Sequence, residues 1–75
     1  MQRLRILRRW AGMTQTQLAR KADFPTDSIR GWEAGRHLPR LDHAAKVAQA
    51  LGVTLGCLAG LEPLPEGAGE TAAAE

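Results

Sequence analysis

The sequence predicts an all-α fold, a compact bundle of four to five short helices. Three observations carry this. Apolar residues recur at three- and four-residue spacing in successive stretches of the chain. Those stretches are bounded by threonines able to cap, by glycines and by a proline. No run alternates β-branched with polar residues, so no strand is expected.

Residues 2–11 make the first helix, with Leu4, Leu7 and Ala11 on one face and Gly12 as its stop. Thr14 can cap a second helix over 15–22 by accepting a backbone N–H that otherwise lacks a partner. Leu18, Ala19 and Ala22 give that helix a narrow apolar stripe. Asp23-Phe24-Pro25 then interrupts: Pro25 disfavours helical geometry at Phe24, yet it suits the first turn of a following helix. The third helix runs over about 26–34. Ile29 and Trp32 face inward from it, and Gly35 sits where a left-handed C-terminal cap is wanted. Asp27, Arg30, Gly31 and Ala34 fall on the opposite face, with Thr26 near its N-terminal end. Residues 36–40 form a loop. A fourth helix follows over 41–51, with Leu41, Ala44, Ala45, Ala48 and Leu51 inward and Asp42 near its positive end. Gly52 stops it. Thr54 can cap a short fifth helix carrying Leu55 and Leu58, ended by Gly60. Residues 1–61 thus form one domain. From Glu62 on, Pro, Gly, Glu and Ala dominate, so 62–75 is expected to be an acidic, disordered tail.

At 75 residues the chain holds one small domain. Thirteen of its apolar residues are alanine and three are aromatic, a thin core that serves close-packed helices. One cysteine excludes an internal disulfide, and Cys57 reads as a packing residue. His37 and His43 have no further ligands at metal spacing, so no metal site is expected. Ser28 is the only serine and has no glycine elbow around it, Cys57 has no nearby histidine, and no phosphate-binding glycine loop is present. The reading is therefore a protein without catalytic activity or cofactor. No apolar run approaches the ~20 residues of a membrane span, and the N-terminus is too charged for a signal peptide. A cytoplasmic location follows. Residues 1–10 combine basic and apolar side chains, but the core needs Leu4, Leu7 and Ala11, which argues against membrane binding.

Charge is unevenly placed. All ten Lys and Arg lie within 3–46, and only four acids precede residue 60, so that part carries +6; the other four acids lie in the tail. Such a domain attracts polyanions. Residues 14–35 supply the matching shape: a helix, a tight break and a second helix ending in glycine. That is the helix-turn-helix layout, whose second helix enters the DNA major groove.

Separated motifs then bring a family into view. Residues 3–60 resemble the phage-repressor/Cro-like (XRE) helix-turn-helix domain, through LRILRRWAGMTQTQLAR, SIRGWEAGRHLP and AAKVAQALGV. The resemblance implies a lambda-repressor-like bundle with the motif in helices two and three. It implies that Gln15 contacts a phosphate and that Pro25, Thr26, Asp27 and Gly31 reach base edges. It implies that Arg36, His37 and Arg40 approach the DNA backbone or minor groove. It pairs Arg8 with Glu33 between helices one and three. The residues themselves agree on the last point, since Arg8 borders the Leu4/Leu7 face and needs a partner there.

The chain departs from the family pattern at three positions. Pro25 stands where Ser or Thr usually caps, so Thr26 is expected to take the cap or to contact DNA. Asp27 places a carboxylate that can accept from cytosine N4, complement the helix dipole or repel phosphate. Gly31 removes a base-reading side chain, which leaves Arg30 as the strongest candidate for base or phosphate contact. Ile6 and Trp10 lie on another side of helix one. They either pack against the fifth helix and the tail or form a protein-contact patch. The expected function is a transcriptional regulator bound to double-stranded DNA, a homodimer at least on DNA. The alternative is a protein-interaction module, or the antitoxin of a toxin–antitoxin pair, on the same fold.

Overall fold

The computed structural model describes residues 1–68, and 69–75, the remainder of the expected tail, lie outside the described residues. Five helices follow in order: α1 (Gln2–Trp10), α2 (Gln15–Ala22), α3 (Thr26–Ala34), α4 (Leu41–Leu51) and α5 (Leu55–Ala59). The described residues contain no strand. None of their helices is long and apolar enough to cross a membrane.

Local chemistry sets the boundaries. Thr14 and Gln17 form a reciprocal capping box: the Gln17 N–H donates to Thr14 Oγ1 at 3.1 Å, and the Thr14 N–H donates to Gln17 Oε1 at 2.9 Å. Thr54 caps α5 in the same way, accepting from the Cys57 N–H at 3.1 Å. At α3 the expected cap is corrected. Pro25 is the N-cap residue, extended at φ −62° and ψ 146°, and no side chain caps the helix. Its ring already locks the required φ, so Thr26 is simply the first helical residue. The break between α2 and α3 turns on Asp23, a non-glycine residue in the left-handed region at φ 65°. Asp tolerates this region better than most residues.

Leu4, Leu7, Leu18, Ile29, Val47 and Leu58 are fully buried and form the centre, with Trp32 and Leu51 closing it. Two expectations for α4 fail. Leu41 is 74% exposed, and Ala45 is exposed. The buried stripe consists of Ala44, Val47, Ala48, Ala50 and Leu51, which are spaced to face α2 and α5 together. Leu41 is the first residue of α4 and lines an open hollow with Leu38, Leu55 and Leu61.

The expected free tail is also corrected for residues 62–68. Arg3 Nη1 donates to the Glu62 carbonyl at 2.6 Å and to the Cys57 carbonyl at 3.1 Å. Trp10 Nε1 donates to the Glu66 carbonyl at 3.2 Å, Leu64 packs on the core and Ala68 is fully buried. Composition suggested disorder here, but the partners are mostly backbone carbonyls, which any residue supplies. Trp10 is thus partly covered by this segment, and Ile6 is half-buried.

The capping box carries a prediction. Thr14→Ala removes the side-chain acceptor of an exposed cap and is expected to lower stability by about 1 kcal/mol. Urea unfolding followed by circular dichroism reads this as a lower midpoint at unchanged slope.

Candidate nucleic-acid interface

The break between α2 and α3 is braced by aromatic packing. The Phe24 ring meets Trp32 edge-on at 5.2 Å and His43 at 5.0 Å, and the Lys46 ammonium lies 5.9 Å from its centre. Phe24 therefore wedges between α3 and α4 and holds the angle at which α3 leaves α2.

On the other side of α3 a buried carboxylate does the positioning. The Glu33 side chain is wholly removed from solvent. Arg8 of α1 grips it with two donors, Nε to Oε2 at 2.6 Å and Nη2 to Oε1 at 3.2 Å. The free Nη1 of Arg8 donates to the Met13 carbonyl at 2.9 Å, tying down the α1–α2 turn. Arg5, one turn earlier on the same face, adds Nε at 3.4 Å. Gln15, the first residue of α2, donates Nε2 to Oε1 at 3.2 Å. Its carbonyl oxygen in turn accepts from Arg30 Nε at 3.3 Å. One carboxylate thus links three helices and, through Gln15, orients Arg30. Burial pushes the Glu33 carboxyl up. The hydrogen bonds from Arg8, Gln15 and Arg5, with the Arg8 charge, outweigh that and hold it below its ordinary value.

The outward face of α3 lies beyond this brace. Asp27 and Arg30 are both exposed there and approach within 3.7 Å. Thr26 is half-buried at the helix start. Gly31, expected on the surface, is buried because the His37 ring lies over it. Arg36 and Arg40 are exposed in the loop after α3, and Arg40 Nε lies 3.4 Å from Asp42. The structure therefore gathers Gln15, Asp27, Arg30 and the Gly31/His37 pair about one helix. It leaves Ile6 and Trp10 on α1, where residues 62–68 cover part of Trp10. Sequence reasoning missed Arg5 as a partner of Glu33, although its three-residue offset from Arg8 signals a shared face. It also missed the seating of His37 on Gly31, a contact between loop and helix that no local pattern marks.

The carboxylate brace predicts an acid-sensitive fold. The folded-state carboxyl titrates below its unfolded value, so its contribution is complete above the ordinary value of 4.5 and is lost as pH falls through the folded one. Glu33→Gln leaves Arg8 buried without a countercharge and is expected to cost about 3 kcal/mol at neutral pH. Chemical unfolding across pH should show that difference shrinking in acid.

Comparison with known proteins now adds to the geometry. A family model described as helix-turn-helix matches residues 4–56, well over half of the chain. No curated protein and no solved structure matches it. The matched span runs from within α1 to the start of α5, including the carboxylate brace and the outward face of α3. The chain belongs to the phage-repressor/Cro-like (XRE) family of DNA-binding helix-turn-helix transcription regulators.

Proposed function

We propose that this chain is a transcriptional regulator that binds a two-fold-symmetric double-stranded operator as a homodimer, with α3 in the major groove. The observation that carries this reading is the exposed Arg30, aimed by Gln15 and the buried Glu33 and flanked by loop arginines. The N-terminus of α2 and the remaining amide hydrogen of Gln15 meet a phosphate. Arg30 donates to guanine O6 and N7, and its neighbour Asp27 accepts from cytosine N4. Thr26 reaches a base or sugar at the helix start. Arg36 and Arg40 neutralise backbone phosphates.

The dimer reading rests on a second surface. Leu38, Leu41 and Leu61 are strongly exposed and, with Met1, Pro39 and Leu55, line an apolar hollow of about 590 Å³. The side chains lining it carry no charge, whereas residues 1–60 carry +6. Two copies therefore meet there with the least repulsion and the most apolar surface removed from water. The same apolar surface, with the exposed carboxylate of Asp27, is what favours the alternative of an interaction module or antitoxin. Retention on heparin separates DNA binding from the interaction module, which needs no polyanion-binding face; an antitoxin of this fold also binds DNA and is retained.

Selection from a random duplex library tests the main reading. An enriched palindrome is the expected result; no retention of DNA overturns it in favour of the interaction module. Arg30→Ala should cost about 1–3 kcal/mol and relax preference at one base pair. Arg36→Ala should weaken all sequences alike and lower the salt slope by about one. Leu41→Glu with Leu61→Glu should leave the circular dichroism spectrum intact, since both positions are exposed. The same double variant should convert the protein to a monomer in sedimentation and weaken operator binding more than tenfold. An unchanged mass would remove this face from the dimer.

A further inference from the structure

The exposed face of α3 contains an anomaly. Gly31 sits in the helix interior with an ordinary helical backbone, so no positive φ calls for glycine. Glycine there weakens a helix relative to alanine. The reason lies above it. A Cβ built on Gly31 would fall 2.4 Å from His37 Nε2 and 2.9 Å from Cε1. The imidazole occupies the place where a side chain of α3 would begin.

The ring is held in that place. Gly35 takes the left-handed conformation at φ 78°, which ends α3 and turns the chain back. The Arg36 N–H donates to the Gly31 carbonyl at 3.0 Å, pinning the loop to the helix directly beside the seat. The ring also meets Trp32 edge-on, 6.4 Å between centres and 84° between planes. His37 nevertheless remains exposed, while Gly31 beneath it is buried.

Resting on the DNA-binding reading, we propose that His37 is a specificity-determining residue that reads a base edge in place of position 31. The loop after α3 delivers a side chain into the middle of the reading face, one turn from Asp27 and beside Arg30. The Nε2 end of the ring lies against Gly31, which leaves Nδ1 to face a base and to donate when it carries the proton. Its natural counterpart in the major groove is the acceptor edge of a purine, N7 with O6 of guanine in particular. Gly31 is then a seat for His37 rather than a gap in the recognition helix.

The test compares binding sites selected from a random duplex library by the wild type, His37→Ala, Gly31→Ala and the double variant, with thermal unfolding alongside. The wild type should enrich a motif. His37→Ala should keep that motif except at one base pair, where discrimination falls about tenfold, with its melting temperature little changed. Gly31→Ala should lose the same position, because the new Cβ displaces the ring. The double variant should lose no more than either single variant. A His37→Ala motif unchanged at every position overturns the proposal while leaving the DNA-binding reading intact. Loss of preference spread over the whole motif overturns it too, because that marks a general loop effect. A wild type that enriches no motif overturns both readings.

Discussion

A single buried carboxylate organises this domain. Glu33 is sealed from solvent, and a lone charge in that position would cost several kcal/mol. It is tolerated only because Arg8, Arg5 and Gln15 all reach it. Those donors come from α1 and α2, while the acceptor belongs to α3. The network is satisfied in one relative pose of the three helices and in few others. A slip of α3 would strand the charge, so the pose is specified more sharply than apolar packing alone would specify it.

The apolar part of the structure supplies adhesion where the carboxylate supplies register. Four small buried residues of α4 and α2, Ala44, Ala48, Ala19 and Ala22, let backbones come close, and the larger Leu and Ile side chains fill the centre. Trp32 serves both sides of the design. It packs against Phe24 and His43 inside, and its edge supports His37 near the surface. Its carbonyl also accepts from the Met1 ammonium, which draws the start of α1 onto the end of α3. The elements that aim α3 are thus the same ones that hold the bundle together, and disturbing either function disturbs both.

The surface divides into separate regions. One carries Arg30, Arg36, Arg40 and the carboxylate of Asp27 around α3 and its following loop. Another is apolar, built around Leu41 and Leu61. The loop with Leu38 and Pro39 lines the apolar hollow and lies between the loop arginines Arg36 and Arg40. Residues 62–68 cover part of α1 on their own account, anchored by Arg3, Trp10 and Thr54.

The sequence by itself determined the helices, their order and most of the core. Capping threonines, terminating glycines and apolar spacing are local signals, and Thr14, Gly35 and Gly52 act through contacts a few residues away. That Arg8 needs a countercharge was legible from its place on an apolar border, and the family resemblance named Glu33 as the partner the structure shows. Tertiary structure alone decided the rest, where the partner comes from elsewhere in the chain. Leu41 has the right spacing for the core but lies at a helix end, where it lines an open hollow instead of being packed over. Residues 62–68 look like a solvated tail, yet bond through backbone carbonyls that composition does not reveal. Gln15 looked free for phosphate, yet spends one amide hydrogen on Glu33 and its oxygen on Arg30. Gly31 looked like a missing side chain until the fold placed the His37 ring above it. Periodicity reports which face of a helix is apolar; only the packed chain reports what covers each face.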